Sequence, residues 1–175
     1  MKRIGLLLFL SFLFSCNQPE PRAPLNKKQN SFLINSAARN KRLLETEEQL
    51  LLNSADKDSL LRFEKSASGF LYAYKVKALQ TLPLPKKGTP ILFSYQIEDL
   101  EQNMIYDKQT LGVVEYSLDQ EEILPALRLG LRMMKAGEVV VFLFPSYLCY
   151  SYQGDGDKIG VNQPLRFTIE RIDRP

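Results

Sequence analysis

From residue 69 to residue 172 the chain is a succession of short strand-forming runs broken by turn residues, and only one helical pattern interrupts them. Residues 70–76 are rich in aromatic and β-branched side chains that fit a pleated, half-buried surface. Residues 81–90 hold Pro83, Pro85, Gly88 and Pro90 and read as a connecting loop. Strands are expected over 91–97, 104–107 and 113–118, with a turn over 99–103. The helical segment spans 121–134, with Ile123, Leu127, Leu131 and Met134 on one face. Asp119 is a plausible cap for it, Glu121 and Glu122 suit its first turn, and Pro125 is still near its start. Ala136-Gly137 ends it. Residues 139–144 form a near-continuous apolar run, the mark of a buried strand. A long loop over 145–160 and a last strand over 164–172 follow. Several strands around one helix predict an α+β fold: a curved antiparallel β-sheet packed on one α-helix, preceded by a helical extension.

That extension begins at residue 36. Leu43, Leu44, Leu50 and Leu51 repeat at seven residues, with Arg39 and Lys41 ahead of them and Glu45, Glu47 and Glu48 between them, so 36–53 reads as an amphipathic helix. Asn53-Ser54 is expected to break it, and a second short helix over 57–65 would carry Leu60, Leu61 and Phe63. Short helices are marginal without tertiary contacts, so both are expected to pack on their own domain.

Ahead of them, residues 17–35 are polar, carry Pro19, Pro21 and Pro24, and read as a flexible tether. The chain opens with Met1-Lys2-Arg3, an apolar run over 4–14, and Ser15-Cys16. A charged start, a short apolar core and a small residue are the parts of a secretory signal. The run is well short of the ~20 residues a spanning helix needs. Leu13-Phe14-Ser15-Cys16 resembles a lipobox, where a bacterial lipoprotein is cleaved and acylated on cysteine. The expected division is therefore a signal peptide over 1–15, a lipidated tether over 16–35, a helical extension over 36–68 and the sheet domain over 69–175. With lipid on Cys16, Cys149 has no partner within the chain, and the core must supply stability without an internal disulfide.

Composition narrows the chemistry. The 23 basic residues include Lys2 and Arg3 in the signal; without those two, 21 face 20 acidic ones. Such balance gives no electrostatic case for nucleic acid. The chain has no histidine and no tryptophan, which excludes a Ser-His-Asp triad, a Cys-His dyad and histidine metal sites. Gly154-Asp155-Gly156-Asp157 lacks the distant glutamate of a calcium loop and reads as a tight turn. Neither metal nor cofactor is expected. Chemistry here rests on carboxylates, tyrosines, backbone groups or desolvation.

Residues 90–172 carry an ordered series of signals. Tyr95 lies in a strand; Tyr106-Asp107 is an aromatic followed by an acid; Tyr116-Ser117-Leu118 leads to Glu122-Ile123-Leu124. The helix ends Met134-Lys135-Ala136-Gly137-Glu138, and Phe144-Pro145, Tyr150, Ile159 and Asn162-x-Pro164-Leu165-x-Phe167 follow. In order and spacing this resembles the FKBP-type peptidyl-prolyl isomerases. Arg39-Asn40-Lys41, Glu47-Glu48, Ser68-Gly69-Phe70-x-Tyr72, Ile105-Tyr106, Met133-Met134-Lys135-x-Gly137-Glu138, Pro145-Ser146 and Tyr152-x-Gly154-Asp155 extend the likeness to the gliding-motility-associated FKBP-type lipoproteins of gliding bacteria.

The resemblance implies isomerisation of X-Pro bonds in exported polypeptides. It places Tyr95, Tyr106, Tyr116 and Phe167 around a pocket, with Leu127 as its floor and Ile123 and Ile159 at its sides. It gives Asp107 the role of orienting substrate backbone or a neighbouring tyrosine. The Leu124 N–H and the Tyr150 hydroxyl would donate to the substrate. It further implies a lipid-anchored protein of the cell envelope facing the periplasm, on the outer membrane in preference to the inner, beside motility or secretion machinery. Leu127 stands where the family commonly has tryptophan, Val114 replaces a wall aromatic and Ser151 a glycine. These departures predict a wider, weaker pocket. They leave two readings open, an isomerase and a non-catalytic peptide-binding module.

Overall fold

Residues 139–144 bury all but the first of their side chains, and the sheet is assembled around them. The computed structural model describes residues 27–79 and 81–172, with side chains from Leu33 onward. The expected signal peptide, Cys16 and the first part of the tether lie outside the described residues.

The elements are α1 (Lys27–Lys57), β1 (Glu64–Lys65), β2 (Leu71–Val76), β3 (Pro90–Glu98), β4 (Met104–Tyr106), α2 (Lys108–Leu111), β5 (Val113–Ser117), α3 (Pro125–Met133), β6 (Val139–Phe144), a 3-10 turn (Ser146–Leu148) and β7 (Leu165–Ile172). The strands form one antiparallel sheet in the order β1-β2-β6-β7-β3-β4, and β5 also pairs with β3. The nine residues of β3 are long enough to carry β5 at one end and β4 at the other while β7 runs along the opposite edge. The expected α+β architecture is what the chain adopts.

Strand alternation divides the sheet into two faces. On one, Phe93, Val140, Phe142, Phe144, Leu165, Phe167 and Ile169 are fully buried beneath Leu127 and Leu131 of α3. Phe142 stands directly opposite Phe167 across the β6–β7 pair. Gly130 lets α3 approach, since a Cβ there would lie 3.2 Å from Phe142 and from Ile169. A helix-interior glycine costs about 1 kcal/mol in propensity, and here close packing on the sheet offsets it.

The other face is covered by the part of α1 from Arg39 onward. Leu71 and Leu143, opposite each other on β2 and β6, form a second small core with Leu51. Glu47, 2 % exposed, accepts from the Ser146 N–H and hydroxyl. Arg166 pairs with Asp58 at 2.9 Å and Glu98 at 3.2 Å, all three largely buried. Residues 39–175 form one compact unit. In the stretch ahead of that unit, Leu33 and Ile34 are exposed on the helix.

Four local expectations are corrected. The helix starts at Lys27, inside the expected tether: residues 27–35 contain no proline to stop it. Asn53-Ser54 does not break it. The Ser54 hydroxyl donates to the Leu100 carbonyl at 2.7 Å, so Ser54 serves the docked face instead of competing with the helix backbone. Residues 57–65 are not a second helix. Asp58 is held by Arg166 and accepts from the Leu60 N–H, turning the chain so that Phe63 joins the small core and residues 64–65 pair with β2. Finally, α3 starts at Pro125, not at residue 121. Proline at its first position holds Leu124 extended, at φ −49° and ψ 129°. Asp119 is therefore no cap; it sits at φ 59° and binds Arg132 at 2.8 Å.

Candidate active site

The helical face of the sheet brings the predicted residues into one cluster. Tyr116, Leu127, Ile159 and Phe167 are buried members of it, and Tyr95, Tyr106, Ile123, Leu124 and Tyr150 pack against them half-exposed. The buried four form the base; the half-exposed five, from β3, β4, the lead into α3 and the loop after β6, form its accessible rim.

The base is an aromatic stack. The ring of Tyr95 lies parallel to that of Phe167, with centroids 6.1 Å apart, and 5.7 Å from Phe93. Phe167 meets Phe144 edge-on at 5.6 Å. Such offset and edge-on contacts suit the ring quadrupoles and hold Tyr95 at the surface of the stack. Tyr116 is committed to the fold, for its hydroxyl accepts from the Asp119 N–H at 3.1 Å.

The rim is set by a carboxylate that the sequence reads only as part of a tight turn. Asp155 accepts from the Tyr106 hydroxyl at 2.6 Å through Oδ2, and from the Asp157 and Ile159 N–H groups at 2.9 and 2.8 Å through Oδ1. One side chain thus closes the 154–159 turn, seats Ile159 and fixes the ring of Tyr106. Gly154, at φ 67°, makes the turn possible, because a Cβ there would collide with the Ile159 carbonyl. Desolvation acts to raise the Asp155 carboxyl, but the hydrogen bonds from Tyr106, Asp157 and Ile159 outweigh it and bring it down to about 2. Tyr106 is pushed up to about 12, first by its bond to Asp155 and then by burial.

Asp107 occupies a different place from the one expected of it. It caps α2, with Oδ1 accepting from the Thr110 N–H at 2.7 Å and Oδ2 from the Thr110 hydroxyl at 2.9 Å. Those bonds, the backbone one first, hold its carboxyl below the usual range. The acid that orients a tyrosine is Asp155, because the short α2 draws Asp107 into its own first turn.

Tyr150 enters from the loop after β6. Burial pushes its hydroxyl up to about 12, with Tyr95, Asp155 and Cys149 adding to the effect, and no hydrogen bond contributes. Burial also raises Tyr95. Both phenols are neutral donors across the physiological range. Leu124 is the residue before α3, so its N–H lies outside that helix's hydrogen-bond ladder. The rim therefore combines apolar walls with neutral donors. A groove of about 730 Å³ lies elsewhere, between α1 and the 146–162 loop, and none of these residues lines it.

The sequence model for the FKBP-type peptidyl-prolyl cis-trans isomerases matches residues 83–172, just over half of the chain and all of the candidate site. The chain belongs to this family. A probable FKBP-type peptidyl-prolyl cis-trans isomerase FkpA of Neisseria meningitidis serogroup B is 31% identical over 127 residues. That match takes in 71% of this FKBP-type chain but 44% of the relative, so it spans less than half of the Neisseria protein. A peptidyl-prolyl cis-trans isomerase from Pseudomonas syringae pv. tomato has the same fold at 22% identity and TM-score 0.60, over 76% of this chain and 93% of that one. The FkpA structure from Escherichia coli aligns with 99% of this chain and 82% of its own at 17% identity and TM-score 0.55.

Proposed function

We propose that the chain catalyses cis-trans isomerisation of X-Pro bonds in exported polypeptides. The observation that carries this reading is the union of an apolar aromatic rim with phenol donors held neutral. Rotation about the X-Pro bond meets a barrier of ~18–20 kcal/mol from amide resonance, and the reaction needs no nucleophile. The twisted transition state has lost that resonance and is less dipolar than the planar amide. A water-poor surface of Tyr95, Ile123 and Leu124 side chains, backed by the buried Ile159, favours it relative to the ground state. The Tyr150 hydroxyl and Leu124 N–H supply directional bonds that hold the substrate backbone in a turned conformation. Leu127 gives the base less surface than an indole would, so turnover is expected to be modest.

The test is a protease-coupled prolyl-peptide assay. Uncatalysed exchange takes tens to hundreds of seconds, so a catalysed phase proportional to protein concentration is readily separated from it. A relaxation rate independent of protein concentration would leave the peptide-binding reading in its place.

We further propose that residues 1–15 are a signal peptide, that Cys16 is acylated and that the domain works at the cell envelope, facing the periplasm. The lipobox-like residues support the anchor, and two or more acyl chains hold a protein stably. The likeness to gliding-motility-associated lipoproteins supports a place beside envelope motility or secretion machinery. Cys16→Ser should appear unprocessed or in the soluble periplasmic fraction; normal processing and full membrane retention of that variant would overturn the anchor.

A further inference from the structure

We propose that Glu47, on the helix preceding the sheet domain, is a positioning residue for the prolyl site, acting through Ser146 on Tyr150. The claim rests on the function proposed above and adds to it a long-range support that lies outside residues 83–172.

The geometry is a relay of hydrogen bonds centred on Ser146. Glu47 Oε2 accepts from the Ser146 N–H at 2.8 Å and Oε1 from its hydroxyl at 2.6 Å. The Ser146 carbonyl in turn accepts from the N–H groups of Cys149 and Ser151, both at 2.9 Å. Those residues flank Tyr150 directly. Every hydrogen-bonding group of Ser146 is thus engaged, on one side by α1 and on the other by the backbone that aims Tyr150. Tyr147 adds a second tie, its hydroxyl donating to the Ser68 carbonyl at 2.9 Å.

Packing alone does not account for a glutamate here. The neighbours Glu45 and Glu48 are exposed, whereas Glu47 is 2 % exposed. Burying a carboxylate is costly unless its oxygens are hydrogen-bonded, and an apolar residue would fill the space without that cost. The described bonds of this carboxylate run to Ser146, which opens the loop carrying the rim's phenol. A loop residue that must donate to a substrate needs such support, since loops are otherwise the less constrained parts of a fold.

The test uses the full chain with Glu47→Ala, Glu47→Gln, Tyr150→Phe and the Glu47→Ala/Tyr150→Phe double variant, with Glu48→Gln as a surface control. Glu47→Ala should lower kcat/KM on a prolyl peptide on the order of tenfold, the scale of one lost hydrogen bond. Glu47→Gln keeps one acceptor and should fall between it and wild type. In the Tyr150→Phe background the loss on Glu47→Ala should shrink below about twofold, because the group being positioned is already gone. Equal losses in both backgrounds, or no loss in a folded Glu47→Ala chain, would overturn the proposal. Should Glu47→Ala fail to fold, the Glu47→Gln cycle decides on the same criterion. If the wild-type chain shows no turnover, the isomerase reading fails separately, and amide exchange judges the relay. Exchange at Cys149 and Ser151 should rise in Glu47→Gln against Glu48→Gln; unchanged protection would overturn it.

Discussion

The Tyr106 hydroxyl donates to Asp155 Oδ2 at 2.6 Å across 49 residues of chain, tying the end of β4 to the loop between β6 and β7. This contact joins the two sides of the rim, and it helps to lower the Asp155 carboxyl and to raise the Tyr106 hydroxyl.

It predicts an unusual titration. The Asp155 carboxyl lies near 2, well below an ordinary aspartate at ~3.9. A group lowered on folding contributes stability that is present above the unfolded value and lost as pH falls through the folded one. The tie should therefore be complete above about pH 4 and fade toward pH 2. Tyr106 is raised to about 12, so its contribution is complete below about pH 10 and lost as pH rises through 12. Carboxyl-detected NMR titration of wild type should give an Asp155 midpoint near 2, and Tyr106→Phe should move it upward. An unchanged midpoint in that variant would show that the backbone N–H groups of Asp157 and Ile159 alone set it.

Arg166 tests how α1 is held. It lies between Asp58 and Glu98, with the three side chains 8%, 6% and 13% exposed. Arg166→Met leaves two buried carboxylates without their cation and should cost about 3–5 kcal/mol in urea unfolding. A loss within about 1 kcal/mol would mean that water reaches both acids and that the contacts of Leu51, Glu47 and Ser54 suffice to dock the helix.

Gly130→Ala sets two effects against each other. Helix propensity favours alanine by about 1 kcal/mol, while the new Cβ would stand 3.2 Å from Phe142 and Ile169. Both neighbours are fully buried, so overpacking should win and the variant should be less stable by about 1–3 kcal/mol. A stabilised variant would show that α3 can rise off the sheet without penalty.

The sheet was legible because its signals are local. The run Val139–Phe144 has the composition of a strand buried on both faces, and Leu143 proves to meet Leu51 while Phe142 and Phe144 meet the main core. The start of α3 was misread because Glu121 and Glu122 look like a first helical turn, whereas the backbone constraint of Pro125 on Leu124 prevails. The continuous α1 was missed because Asn53-Ser54 breaks a helix only when nothing else occupies the serine, and the Leu100 carbonyl does. At the candidate site, the order of the aromatics foretold that they share one cluster, but the bonds of the acids had no such signal. Asp107 and Asp155 are both turn residues in sequence; only the fold shows that the first bonds Thr110 and the second Tyr106. The contact of Glu47 with Ser146 spans 99 residues and has no local signature at all.

The central claim is that the half-buried phenol of Tyr150 and the aromatic rim act on a prolyl bond. The most direct measurement is kcat/KM for cis-to-trans isomerisation of a prolyl peptide by the full chain and by Tyr150→Phe. The account predicts that wild type accelerates the reaction in proportion to its concentration and that Tyr150→Phe, equally stable to heat, loses about 5- to 30-fold, as for one hydrogen bond worth ~1–2 kcal/mol. A wild-type rate equal to the uncatalysed one, or a folded Tyr150→Phe as active as wild type, would contradict it.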